Sequence, residues 1–426
     1  MYLRKMTLWF GFRLGYLLGL FFVFLAPPAY ASTLSIEAVN LTTVLREAVT
    51  QHPDIRSRRD DQQAAADRLE AAHWGRFPGL SAEAETRSGD PQSVLRLEQP
   101  LWNGGRISSQ IDASQAELRV AGAALSEAQL DVLLRSTGAF FDILRLESRL
   151  KTALANEAEH LRLLETIKRR VAAEVSPLTD ETQAAARWRQ AITERIRTTQ
   201  QIDTARFLLA QLVGRPVGEL IPPAPINMDR WNEGNLLDAA LRYSPERRRL
   251  VAQVDGAESQ IGLAKSQNMP TVVAGYQFRF GAIPFGEERD RAYLGLQFQT
   301  GGGLSSLANA RAAVSKKAAA VEAIEAHDRR LTQSVRSSWA ESLALKEQVE
   351  PVRNLLTGSE EIVASYLRQF QVGRKNWLDV LNAQREKAQA GYSFSDLEYP
   401  LMLSNVRLLL LAGRWDLTTS ILADAP

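Results

Sequence analysis

The chain has 426 residues, with 51 basic against 49 acidic side chains and no cysteine. A balance this close to zero gives no electrostatic case for nucleic acid as a partner. The absence of cysteine excludes disulfides, thiolate metal sites and a lipid-modified N-terminal cysteine.

Residues 1–31 read as a cleavable export signal. Arg4, Lys5 and Arg13 precede an apolar run from Leu14 to Leu25, and Ala29-Tyr30-Ala31 supplies an A-x-A cleavage site. The run is short for a membrane-spanning helix. These residues hold three basic side chains and no acidic one, so cleavage leaves 48 against 49 and a net charge of −1. No later stretch approaches the length of a transmembrane helix. An exported chain of this kind can still enter an outer membrane through closed β-structure.

Leu41 to Trp74 has the apolar spacing of a helix, with Pro53 marking a kink or a restart and Pro78 an end. Leu80 to Arg87 alternates as a strand, and residues 88–92 (SGDPQ) form a turn. A second strand follows, in which Leu95 and Leu97 alternate with Arg96 and Glu98. Pro100, which cannot donate to a ladder, marks its end. Gly104-Gly105 then permits a sharp change of direction.

From Arg106 to about Ala173 the pattern is helical and free of proline. Leu118, Leu125, Val132, Ala139 and Leu146 fall at the seven-residue step of a coiled coil. Such a helix is roughly 100 Å long, more than a compact domain can hold. Ser176-Pro177 predicts a new helix with serine as N-cap and proline at its first position. It runs to Leu212 and stops at Gly214, before a proline-rich linker at 216–234.

At about Asn235 the pattern starts again. Pro53 and Pro78 recur as Pro245 and Pro270, displaced by 192 residues; Asp180 recurs as Asp379, and Gly214-Arg215 as Gly413-Arg414, displaced by 199. The seven extra residues fall between two strands, where SGDPQ becomes the longer loop 281–290. An internal duplication follows. The chain divides into the signal at 1–31, a first helix-strand-strand-helix repeat at 32–215, the linker at 216–234, and a second repeat at 235–426.

The second pair of strands is clearer than the first. In Thr271 to Phe280, Val272, Ala274, Tyr276, Phe278 and Phe280 share one face; in Ala292 to Thr300, Leu294, Leu296 and Phe298 do. Each strand has about the length that a tilted transmembrane β-strand requires. Four strands are too few to close a transmembrane barrel, and open edges in lipid leave backbone groups unpaired. Several chains must then share one barrel. Leu95, Leu97, Tyr276, Phe278, Leu294, Leu296 and Phe298 would face outer-membrane lipid, and the polar faces would line a lumen. The fold class is a mixed α/β membrane channel of long coiled-coil-like helices plus four transmembrane strands per chain. Trp74 and Trp102 lie just outside the strand ends. They are either an interfacial aromatic belt or ordinary core tryptophans.

The signal, the duplicated unit, QPLWNGG at 99–105 and VGRKNWLDVLNAQ at 372–384 together resemble the TolC-type outer-membrane efflux proteins. The resemblance covers essentially the whole mature chain. It implies a homotrimer with one shared β-barrel and a helical barrel (the α-barrel) crossing the periplasm. It also implies docking at the helix tips to a periplasmic adaptor (a membrane fusion protein) and an inner-membrane transporter of RND or ABC type. The tips fall near 170–182 and 369–384.

At that end the resemblance implies a constriction ringed by aspartates. Asp379 matches one of them, while Asn382 stands where the family has a second, so a trimer would carry three carboxylates there instead of six. Thr179 and Asp180 match positions that bond across to a basic residue and an aromatic hydroxyl in the closed state. Lys375 stands at the basic position, and Phe370, which has no hydroxyl, at the aromatic one. A blander reading is that Asp180 and Asp379 sit in the first turns of their helices, where carboxylates favour the positive end of the dipole.

Gly104, Gly105, Gly302 and Gly303, with Pro100, suit a swivel between strand and helix; they lack the lysine and spacing of a phosphate-binding loop. His52, His73, His160 and His327 are scattered without paired spacing, so no metal site is expected. No cofactor is implied, and no nucleophile, base and orienting group occur together, so an enzyme reading has no support. The expected function is a passive duct for efflux or type I secretion. The alternatives are a periplasmic coiled-coil adaptor or scaffold, which has no use for these strands, and a secreted helical toxin, which the duplicated hairpins and tip motif oppose.

Overall fold

The computed structural model describes residues 38–87, 90–281, 288–298 and 305–414. The signal at 1–31 and Gly302 and Gly303 fall outside the described residues. The elements run β1 (Val39–Asn40), α1 (Leu41–Gln51), α2 (Pro53–Trp74), β2 (Gly79–Arg87), β3 (Asp90–Trp102), α3 (Arg106–Ala172), α4 (Leu178–Val213). The same series then recurs: β4 (Leu220–Ile221), α5 (Glu233–Tyr243), α6 (Pro245–Ser266), β5 (Thr271–Gly281), β6 (Asp290–Gln297), α7 (Ser305–Gln371) and α8 (Trp377–Leu411).

Pro53 restarts the helix. It occupies the first position of α2, and the His52 ring accepts a hydrogen bond from the Asp54 amide at 3.3 Å. Ser244 does the equivalent for α6, accepting from the Arg247 amide at 3.1 Å. α3 and α7 are each 67 residues long, about 100 Å at 1.5 Å per residue. Val132, Ala139 and Leu146 of the heptad series are buried. The largest core surrounds Phe140, Phe141 and Leu144 of α3, with Val44 and Leu45 of α1, Leu209 and Leu212 of α4, and Val406 and Leu410 of α8. A two-residue parallel pairing, Val39 to Leu220 and Asn40 to Ile221, laces the starts of the two repeats together beside this core. Nothing in the alternation of so short a segment announces it.

The four longer strands form one antiparallel sheet in the order β2-β3-β5-β6. Its register sorts the side chains. Leu80, Leu97, Tyr276 and Ala292 stand in one cross-strand row, and Ala82, Leu95 and Phe278 in the next. Leu294 and Leu296 lie opposite Ala274 and Val272 on the same face. They are 72% and 71% exposed. Phe298 lies one residue beyond the end of β6. The other face carries Glu83, Arg96, Glu98, Gln277 and Arg291 by register. Arg96 pairs with Glu83 at 2.9 Å, and the Tyr293 hydroxyl donates to Glu98.

β3 does not end at Pro100. It continues to Trp102 through a register shift between Pro100 and Trp102, and such a bulge tolerates a residue without a ladder donor. Trp74 and Trp102 are both exposed, which excludes the core reading within this chain.

The two long helix pairs turn in the same way. At the end of α3, Glu174 takes φ 57°, and the Val175 amide donates to the Arg170 carbonyl at 2.9 Å. At the end of α7, Gly373 takes φ 73°, and the Arg374 amide donates to the Gln369 carbonyl at 2.8 Å. Positive φ suits glycine and costs other residues about 1–2 kcal/mol. A Cβ on Gly373 would meet nothing within 4 Å, so alanine there meets only the backbone penalty. Gly373→Ala should therefore lower hydrogen-exchange protection of the Arg374 amide about fivefold, the equivalent of roughly 1 kcal/mol. Glu174→Gly should raise protection at Val175.

Candidate functional site

All four long helices meet in one apolar cluster beside these turns. Leu163, Leu164 and Ile167 come from α3, Ala184 from α4, Phe370 from α7, and Trp377, Val380 and Leu381 from α8. The Phe370 and Trp377 rings lie 5.8 Å apart, and the Arg170 guanidinium stands 4.8 Å from the centre of the Phe370 ring. Phe370 is thus buried between an indole and a cation. At this position it acts as a packing residue.

Lys375 and Asp379 are brought together, while Phe370 packs on Trp377 and Arg170; Thr179 and Asp180 are not bonded to any of these. The Lys375 ammonium lies 3.7 Å from the Asp379 carboxylate and 4.4 Å from the centre of the Tyr366 ring. Asp379 closes a capping box. Its amide donates to Asn376 Oδ1 at 2.9 Å, and its carboxylate accepts from the Asn376 amide at 3.4 Å. Two backbone donors at the start of α8 are satisfied reciprocally. Thr179 is exposed and Asp180 half-buried in the first turn of α4. Among the described residues, the Asp180 carboxylate makes no hydrogen bond or ion pair. Asn382 is exposed, close to one turn beyond Asp379.

Ser176 does not cap α4. Pro177 takes the N-cap place, without a side-chain cap hydrogen bond. The Ser176 hydroxyl accepts instead from Arg170 Nε at 3.3 Å, so the preceding helix outcompetes the following one for it. Trp377, Arg170, Tyr366 and Asn376 are the tip residues that sequence reasoning passed over. Only Asn376 left a local signal, the N-x-x-D spacing of a capping box.

At the opposite end of α3, Gly104 takes φ 60° and Gly105, the N-cap, φ 84°. A Cβ on Gly104 would stand 2.3 Å from the Met269 Cβ. Glycine is needed there both for its backbone and for the close approach of the second repeat. His327 has a packing role, bonded to Ser244 at 2.9 Å and facing Glu246 at 3.3 Å. Among the described residues no helix is long and apolar enough to cross a membrane.

The chain is similar to known proteins along most of its length. It is 25% identical over 332 residues to the cobalt-zinc-cadmium resistance protein CzcC of Cupriavidus metallidurans, covering 72% of this chain and 73% of that one. It is 22% identical over 398 residues to the outer membrane protein TolC of Vibrio cholerae, covering 88% and 90%. A crystal structure of a membrane protein from Pseudomonas aeruginosa superimposes with a TM-score of 0.79 at 20% identity, covering 90% of this chain and 92% of that one. The sequence profile described as outer membrane efflux protein matches residues 44–215 and 236–414, one segment in each repeat. The chain belongs to the outer membrane efflux protein family.

Proposed function

We propose that this protein is the outer-membrane duct of a tripartite efflux system. Its cargo passes through the lumen, and the energy comes from a transporter in the inner membrane. The observation that carries this reading is the sheet, with one exposed apolar face, one charged and polar face, and β2 and β6 as open edges. A backbone group without a partner in hydrocarbon costs several kcal/mol. Sister chains that pair β2 with β6 remove both edges at once. Three chains would give a shared barrel of twelve strands, with Leu95, Leu97, Tyr276, Phe278, Leu294, Leu296 and Phe298 turned to lipid.

In this reading α3, α4, α7 and α8 extend through the periplasm as a helical barrel, and their tips dock the adaptor and the transporter. The first repeat spans 32–215 and the second 235–426, with the linker 216–234 at the equator. Residues 1–31 are removed on export. Pro100, Gly104, Gly105, Gly302 and Gly303 let the strands swing into the helices. Thr179, Asp180, Phe370, Lys375, Asp379 and Asn382 form the gate at the tip. Because Thr179 and Asp180 find no partner across the tip among the described residues, their partners in the closed state would come from a neighbouring copy. A water-soluble adaptor would have to leave the apolar sheet face wet, which weighs against that alternative.

Leu296→Arg should reduce the heat-resistant oligomer on electrophoresis, since arginine facing mid-bilayer lipid costs about 2–4 kcal/mol. An oligomer that persists unchanged would take β6 out of the membrane. Asp379→Asn keeps an oxygen for the Asn376 amide but removes the charge. It should weaken blockade by multivalent cations in planar-bilayer conductance, and blockade at wild-type strength would remove Asp379 from the gate.

A further inference from the structure

Beside the apolar tip cluster, α3, α4 and α8 border a second feature, an open cavity of about 500 Å3 with mixed polar and apolar walls. Arg149 and His160 of α3, Arg187 and Glu194 of α4, and Arg385 and Tyr392 of α8 line it. Arg149 is neutralised by Asp396 at 2.5 Å and Glu194 at 3.4 Å. Arg187 and Arg385 are not. Among the described residues Arg187 bonds only to the Gln190 side-chain oxygen, at 3.1 Å, and Arg385 has no ion pair. Two uncompensated guanidiniums therefore reach one cavity from different helices.

His160 of the same lining is 6% exposed, and its Nδ1 has no hydrogen-bond partner among the described residues. The Tyr392 hydroxyl is also buried without one. Unsatisfied buried polar atoms are costly, so a native structure that keeps them calls for an occupant. Arg187, Arg385 and the phenol O–H are donors, and both imidazole nitrogens donate once the ring is protonated. The one carboxylate in the described lining that a cation would find is Glu194, already held by Arg149. A ligand rich in acceptors would find four donors unspent.

We propose that this cavity is a binding site for a small multivalent oxyanion of the sulfate or phosphate class. Bound there, it would bridge α4 and α8 across α3 within one chain, next to the tip. Burial first, and then Arg187, hold the His160 pKa below its usual value, opposed by Glu159. The other charged groups around it are Glu157 of α3, paired with Arg195 at 2.5 Å, with Arg149, Glu194 and Arg385. An anion against the ring favours the imidazolium. Proton uptake thus accompanies binding, and affinity rises as pH falls.

Calorimetric titration of the detergent-solubilised mature protein with sulfate, at constant ionic strength in chloride, tests the proposal. Saturable binding at one site per chain is expected. Arg187→Gln and Arg385→Gln should each weaken it about tenfold or more, as loss of a charged hydrogen bond implies, and Arg385→Lys should retain most of it. Sulfate keeps its charge through the range where histidine titrates. Tighter binding at lower pH, flattened in His160→Gln, is therefore expected. No saturable heat would mean that the cavity holds water or receives an acidic side chain of another protein, and would overturn the proposal. Binding undiminished in the double Arg187→Gln, Arg385→Gln variant, or affinity independent of pH in the wild type, would overturn it equally.

Discussion

A strand carries two rows of backbone hydrogen-bonding groups, and three pairings in a four-stranded sheet leave the outer rows of β2 and β6 open. Water can satisfy such edges, but hydrocarbon cannot. The exposed apolar face around Leu294 and Leu296 asks for hydrocarbon all the same. One chain cannot meet both demands, because burying the face in lipid would strand the edges there. Association of copies edge to edge would meet both, and the alternation of side chains would then place the charged face inside without further adjustment. Within one chain the two repeats already pair β3 with β5 antiparallel. A duplicated hairpin that pairs with its own copy has the geometry that pairing with a sister chain would repeat.

The helices face a different problem. A helix about 100 Å long gains little from intrinsic propensity and depends on lateral packing, which is periodic and so permits slippage by a turn. Two devices oppose this. Large side chains are concentrated at separate points, around Phe140 and Phe141 near the strands β1 and β4 and around Phe370 and Trp377 at the tip. Between them, Arg145 and Arg149 of α3 both reach Asp396 of α8, at 2.9 and 2.5 Å, while Ser148 meets Ser395 at 2.8 Å. Moving either helix by one turn of about 5.4 Å would part all three contacts. Their contribution lies in register more than in net energy, since partly buried ion pairs offset their own desolvation.

What could be read from the sequence follows from the range of each interaction. Strand faces were legible in Val272 to Phe280 because the period of two is local and strongly amphipathic. The end of β3 was not, because a bulge lets Pro100 remain inside a ladder. The pairing of Val39 with Leu220 joins segments 181 residues apart and too short to show a pattern. At the tip, the capping box of Asn376 and Asp379 was written in four residues. The burial of Phe370 was not, since it depends on Arg170 from the other repeat. Ser176 shows how a sound local rule fails: a capping residue was present, but a longer-range donor claimed its oxygen.

Duplication also lets the two turns be compared as an internal experiment. Their backbones match, yet the helices that leave them are anchored unequally. Trp377 opens α8 at 5% exposure, and the capping box holds the turn behind it. The equivalent residue of the first repeat, Leu178, is 68% exposed, follows an uncapped proline, and is preceded by a strained Glu174. Fewer contacts must break for the start of α4 to move than for the start of α8. Compliance at the tip is therefore greater at the start of α4, where the Asp180 carboxylate has no partner among the described residues. The weakly anchored part is the start of α4 alone, since α3 is held to α8 through Arg145, Arg149 and Ser148 and contributes Leu163, Leu164 and Ile167 to the tip cluster.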